Sequence, residues 1–590
     1  MFDFLCARSI RHWSGFREKS DDPLCRFPRE VLQNITGRLS QKTLCTLTCV
    51  SRAWHVVIIP ELYNTISITK EVQTRRFLNL LSNPSRAEQL LYYVRKLELA
   101  SLSEQHILPL ARTCPSLVEF SVASPIGEDL VPQLQAFENI RKISLHLTIS
   151  KWPPLSMGGL DAKITRLSLH ARQVKEWVRL LPKLPCIEGL NIACPPSFTT
   201  CADDKFSFSE LEIIHERFPH LCSLGMDGVC LQGDIPEHVS PCFTLQSLTF
   251  VPGGGSLQWG NYFARKYTNL ETLNVSRSLT GDDHAQIETI PLALSCRKLK
   301  YLSMNLHPDV YRTFLGLLQE MSSPLTSVCL DSSWDDPSAF SILHGFQKTL
   351  SAVSIRVDSG APLDKLMEYL TRCPSLVNLH LDCRRTPVSV DWLLNQLPHL
   401  ERLSIIGSNV GVSKTYLAGN KYLSLKHLSM EGEDIEDAVY CFLSAMCPRL
   451  SSLYCTYRNP REESRHLCYL NPGLKSLYVH YIQYTENCPA DSCFGPKRGP
   501  MFKLVRTDSS GPMQKASRAT ESLSIEDDVR WYCDGMDVTE RFRRPTRLGH
   551  SKKKSEEKDI EHRDRHNHAT VLIRCHYVER IQLNSLTLYN

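Results

Sequence analysis

The chain has 590 residues, of which 42% are hydrophobic and 22% charged, with a formal net charge of +5. That is several domains' worth of globular sequence, which excludes both a single small fold and wholesale disorder. Ten Lys/Arg against five Asp/Glu between Arg541 and His568 account for the whole excess charge, so the rest of the chain is balanced and nucleic acid is not an expected partner.

No run of about 18 apolar residues occurs, so no spanning helix and no membrane partner are expected. Residues 1–24 read as a tail, and the opening Met1-Phe-Asp-Phe-Leu-Cys lacks the apolar core and cleavage site of a secretory signal. The 23 cysteines are odd in number and form no Cys-x-x-Cys pair. Reduced thiols, mostly core filler, and a cytoplasmic or nuclear setting are the expectation.

The first organised stretch is helical. Pro28 suits a helix start, and Val31, Leu32, Ile35 and Leu39 form one apolar stripe. Ser40 can cap a second helix whose face is Leu44, Leu47 and Val50, continued by Trp54. A third short segment holds Leu62 and Tyr63. Some forty residues without a disulfide or metal should not be stable alone, so they must dock on the rest of the chain, a partner, or both.

Residues 25–66 resemble an F-box. The family's Leu-Pro-x-Glu stands here as Phe27-Pro28-Arg29-Glu30, its Val-Cys-Arg-x-Trp as Val50-Ser51-Arg52-Ala53-Trp54, and its Pro-x-Leu-Trp as Pro60-Glu61-Leu62-Tyr63. The resemblance implies a Skp-family adaptor as partner and, through it, a cullin-based (SCF) ubiquitin ligase. It assigns the adaptor contact to Phe27, Pro28, Val31, Leu32, Ile35, Leu39, Leu44, Leu47, Val50, Trp54, Leu62 and Tyr63. The competing reading makes the module only a cap on a solenoid C-terminal to it, in a non-degradative interaction scaffold.

From Val94 a pattern recurs, aliphatic-x-x-aliphatic-x-aliphatic. It returns at Leu117, Ile140, Ile164, Ile187, Leu221, Leu245, Leu270 and Leu299, then at Leu325, Leu350, Leu376, Leu400, Leu425, Leu450 and Leu474. The sixteen copies are spaced about 25 residues apart. The last two aliphatics of each sit at strand spacing. Between copies the spacing turns helical, as at Val439, Phe442 and Met446 or Leu363, Leu366 and Leu370. Pro115, Pro185, Pro219, Pro374, Pro398, Pro448 and Pro472 each stand two residues before a leading aliphatic, where they stop the helix. Each strand–helix unit buries its apolar side only by stacking on its neighbours. Cys-Pro-x-Leu at Cys114, Cys373 and Cys447 resembles the cysteine-containing subclass of leucine-rich repeats. The predicted fold is therefore α/β: three helices, then a curved repeat solenoid over 90–484 with a parallel inner sheet and outer helices.

In such strands the third, fifth and seventh residues of each copy face the concave side. The early copies place Lys96, Lys142, His146, Arg166 and His170 there, and the later ones Asp331, Asp382 and Glu431. Tyrosine and arginine are enriched among binding hot spots, so His380, Asp382, Arg402, His427, Glu431, Tyr454, Tyr478 and His480 are the predicted contact for a protein substrate. Solvated charges on a sheet face are the plain alternative.

After Leu474's copy the pattern breaks. Residues 485–575 read as an irregular, partly disordered basic segment, and 576–590 as holding a terminal strand at Val578-Glu-Arg-Ile-Gln-Leu. The His562, His566, His568, Cys575 and His576 group lacks a paired second set, so no metal site and no cofactor are expected. No nucleophile elbow or phosphate loop occurs. His215-Glu216 with His220 has the wrong spacing for a zinc protease. The chain reads as a non-catalytic adaptor with no small-molecule substrate.

Overall fold

The computed structural model describes residues 29–81, 91–127, 131–149, 159–171, 179, 183–194, 205–255, 258–276, 289–305, 308–330, 337–357, 363–413, 423–458, 465–469 and 474–481, with short strands beyond residue 500. The chain divides into two compact units, Met1–Cys296 and Arg297–Asn590.

In the first unit three helices come first: α1 (Arg29–Thr36), α2 (Gln41–Leu47) and α3 (Arg52–Asn64). Ser40 caps α2, its hydroxyl accepting from the Thr43 amide at 3.1 Å. Trp54 does not continue the second helix, as the spacing predicts. Helix α2 ends at Leu47, and Ser51 is extended and accepts from the Trp54 amide at 3.2 Å, so it opens the next helix. The predicted short third segment is the end of α3, which carries Pro60 within it and runs straight into β1 (Thr65–Ile68).

That strand pairs in parallel with Lys96–Leu99, setting Ile66 beside Leu97 and Ile68 beside Leu99. Parallel pairing then passes through Glu119–Val122, Lys142–Ile149, Ile164–Ala171, Gly189–Ala193, Ser223–Gln232, Ser247–Gly255 and Thr272–Ser276. The register matches aliphatic to aliphatic from copy to copy, and Leu97, Phe120, Ile143, Leu167, Leu190 and Leu224 are all at most 2% exposed. A slip of one residue would turn this whole set to solvent, which is why the register is fixed.

One strand needs glycine. Gly228 has φ +68°, and a Cβ there would lie 2.8 Å from the Cys194 carbonyl oxygen. It is the extra residue of a bulge, skipped where Asp227 pairs with Val251 and Val229 with Pro252. Gly228→Ala is expected to lower the unfolding midpoint, at a cost of about 1–3 kcal/mol. An unchanged denaturation curve would show that the bulge relaxes freely.

The second unit repeats the plan. Tyr301–Asn305, Ser327–Leu330, Ala352–Arg356, Asn378–Cys383, Arg402–Gly407, His427–Gly432, Ser452–Tyr457 and Ser476–Tyr481 pair in parallel, in order. Helices such as Leu363–Leu370 and Asp437–Met446 bury Leu366, Met367 and Leu370, or Val439, Phe442 and Leu443. They end just before Pro374 and Pro448. Cys114, Cys373 and Cys447 are buried, with thiols pushed up by burial to about 12, 11 and 12. They are packing groups rather than nucleophiles.

Two features depart from expectation. Val388–Ser389, Asn409–Gly411 and Asp434–Ile435 form a separate three-stranded ribbon, with Val388, Val410 and Ile435 buried. The segment 485–575, expected to be irregular, contains strands. Met501–Arg506 and Thr570–Cys575 join Arg465–Tyr469, Asp528–Cys533 and Met536–Asp537 in a five-stranded sheet. The basic run Arg541–His568 and the histidines in it lie outside the described residues. Terminal strand Arg580–Leu583 pairs with Ser476–Val479, as its pattern suggests, and with Leu586–Tyr589 in an antiparallel hairpin.

Candidate partner-binding surfaces

The helical module divides its apolar residues between two jobs. Leu32, Leu44, Leu62 and Tyr63 are buried, and Ile58 is fully so, packing α1 and α2 onto α3. Leu39, Leu47 and Trp54 are half-buried. Val31, Ile35 and Val50 remain 41%, 47% and 60% exposed. Val31 and Ile35 are four apart on α1 and so share one face. Exposed aliphatics so placed are available to a partner, as are Ile290 and Leu294, 53% and 47% exposed and likewise four apart on the helix Thr289–Ser295. Phe27 and Pro28 lie outside the described residues.

On the open sheet face of the first unit, the expected basic cluster is partly neutralised. Lys96 lies 3.1 Å from Glu98 and 3.8 Å from Glu119, and Lys142 lies 3.9 Å from Glu119. His146 and His170 form a pair, Nε2 to Nδ1, at 2.7 Å. His146 Nδ1 must donate to the Ala123 carbonyl at 2.9 Å, so its Nε2 accepts from His170. Partial burial, and then the neighbouring His146, lower the His170 pKa and favour this neutral arrangement. His215 sits on the helix Phe208–Arg217. It bonds the Tyr267 hydroxyl at 2.9 Å, and burial drives its pKa down to about 3. No group of three His, Cys, Asp or Glu placed to hold a metal occurs among the described residues.

The second unit's open face carries a groove of about 460 Å³. Four of the residues predicted for substrate contact, His380, Arg402, His427 and Tyr454, line it together. Tyr478 is not among its walls but backs Tyr454, stacked flat on it with ring centres 4.1 Å apart and planes at 7°. Asp382 and Glu431 are not among its walls. Asp382 is only 8% exposed and pairs with Arg384 at 3.2 Å, while Glu431 pairs with Arg458 at 2.6 Å. Strand residue His480 has its side chain, and Asp331 its whole placement, outside the described residues. The serines of the groove floor were legible in the repeat column but carried no signal of their own.

Residues 24–69 match the F-box-like family model. A search of the curated proteins finds no match. Among solved structures, the crystal structure of the TLR13–ssRNA13 complex aligns at 13% identity and a TM-score of 0.30, over 66% of this chain and 63% of that one. The crystal structure of the Rad7 and Elc1 complex in yeast aligns at 14% identity and a TM-score of 0.33, over 72% of this chain and 97% of that one. At these scores neither neighbour bears on what this chain binds.

The chain thus carries an F-box-like domain followed by parallel strand–helix repeats of leucine-rich type.

Proposed function

We propose that this chain is a substrate-recognition subunit of a Skp–cullin–F-box ubiquitin ligase, acting in the cytoplasm or nucleus. The observation that carries the reading is the split in the F-box-like domain: one apolar set is consumed internally while Val31, Ile35 and Val50 face outward. The domain would dock on a Skp-family adaptor and through it on cullin, and the repeats would hold a protein substrate for ubiquitination and proteasomal degradation. The subunit supplies no reacting group. It raises the local concentration of substrate lysines near a ubiquitin-loaded enzyme, an effect of proximity and orientation.

The capping role has an observation of its own. Helix α3 leads into β1, which covers the edge of Lys96–Leu99. Leu62 and Tyr63 are buried at that end of α3, while Val31 and Ile35 are exposed on α1, so capping and adaptor binding use different atoms. Affinity purification from cells, wild type beside Pro28→Ala/Leu32→Ala/Trp54→Ala, tests the proposal. Skp and cullin should come down with the wild type and be lost from the triple variant. Their absence from the wild type would leave only the cap.

A further inference from the structure

We infer that the groove on the second unit is a receptor for an acidic peptide segment, seating one Asp or Glu side chain against Arg402 beside the Tyr454–Tyr478 stack. The inference rests on the ligase reading for its biological purpose, but not for its chemistry.

The strands place the groove's residues in rows. Arg402 and His427 are register partners on adjacent strands, roughly 4.8 Å apart. In the next row the order is His380, Ser404, Ser429, Tyr454, Tyr478, one residue per strand. Two serines therefore form a low floor between an imidazole on one side and an aromatic wall on the other. Arg402 and His427 border that floor along its length. Hydroxyls below, a guanidinium at the side and imidazoles nearby are all groups able to donate hydrogen bonds, and all line one depression, the complement of an oxyanion.

The charge balance selects the kind of anion. Three carboxylates on or beside this face, among the described residues, already have cations: Asp382 has Arg384 at 3.2 Å, Glu401 has Lys426 at 2.6 Å, and Glu431 has Arg458 at 2.6 Å. Arg402 is exposed and makes no ion pair among the described residues. It is the one lysine or arginine among the described residues that line the groove. Partial burial, then Arg402 and Lys426, keep His427 toward its neutral form, against the opposing pull of Glu401. One formal positive charge matches a carboxylate, which a guanidinium can grip with two parallel bonds. A phosphate monoester, near −2, would be left undercompensated. The peptide flanking the carboxylate would lie against Tyr454, which is 39% exposed and backed by the stacked ring of Tyr478. Broad, rigid aromatic surface of this sort anchors interfaces at small entropic cost.

The test uses the full chain and fluorescent twelve-residue peptide pools, random except for one central position fixed as Asp/Glu, phosphoserine, Lys or Phe. Anisotropy should show binding by the Asp/Glu pool at least tenfold tighter than by the others. Arg402→Gln should remove at least tenfold of it, and Ser429→Met, which fills the floor without adding charge, should abolish it. Both variants should keep the wild-type thermal midpoint. Binding that ignores the central charge, survives Arg402→Gln or favours phosphoserine overturns the inference. Titration of the same preparations with a Skp-family adaptor separates the two readings. Adaptor binding without acidic selectivity removes the groove proposal alone, and acidic selectivity without adaptor binding sustains the groove and removes the ligase.

Discussion

Glu212→Ala is expected to cost about 3–5 kcal/mol of stability, the largest single loss outside the hydrophobic core. The helices Phe208–Arg217 and Trp259–Lys266 meet across a charged contact. Lys266 Nζ lies 2.5 Å from Glu212 Oε2, with the lysine side chain only 3% exposed. The Tyr262 hydroxyl donates to the other carboxylate oxygen at 2.7 Å. Removing the carboxylate leaves a buried ammonium ion without its counter-ion and deprives a buried phenol of its acceptor. The pair itself is not the source of stability, since desolvating both ions offsets most of their attraction. Glu212→Leu/Lys266→Met should therefore recover most of what Glu212→Ala loses. Urea midpoints of the full chains decide it: equal losses in the single and double variants would mean that the charges stabilise the site outright.

Val31→Asp/Ile35→Asp has a comparably large effect on association and almost none on folding. Both side chains are well exposed, so the carboxylates enter water in the free chain and the module keeps its packing on Leu32, Leu44 and Ile58. In a complex that covers this face, the variant loses two apolar contacts and must desolvate two anions. A loss of adaptor affinity of at least a hundredfold, about 3 kcal/mol, is the expected outcome. Leu32→Asp is the contrasting case. That side chain is 6% exposed, so its loss of binding would come with a collapsed module and a lowered melting point. If the exposed pair could be charged with no loss of binding, the adaptor would have to contact some other face.

The repeats were readable because each copy restates the same physics. A strand with one buried face needs aliphatics two apart, a leading aliphatic closes the turn, and proline ends the preceding helix. Each of the sixteen hexamers has its strand. The strand that escaped, Thr65–Ile68, shows the limit of the pattern. Tyr63-Asn-Thr-Ile66-Ser-Ile68 has the same spacing with an aromatic in the leading place, and Tyr63 is buried there much as Val94 is in the next copy. A search for aliphatics passes over it. The F-box-like match, residues 24–69, thus contains the whole of this first repeat strand.

The five-stranded sheet was hidden for a different reason. Arg465–Tyr469 pairs with Thr570–Cys575 across about a hundred residues, with no repeat to announce the partner. Pairing at that distance leaves no local periodicity to read. Among the residues predicted for substrate contact, position within the repeat placed His380, Arg402, His427, Tyr454 and Tyr478 on one face. It could not tell that Asp382 and Glu431 are taken up by Arg384 and Arg458, because both arginines lie beyond the repeat hexamers, where side-chain direction has no period.

Titration calorimetry of a purified Skp-family adaptor into the full chain bears most directly on the outward-facing set on α1. Saturable one-to-one binding with a Kd near or below about 1 μM, absent from Val31→Asp/Ile35→Asp at an unchanged melting point, is the predicted result. A folded wild-type chain that gives no heat of binding would contradict it.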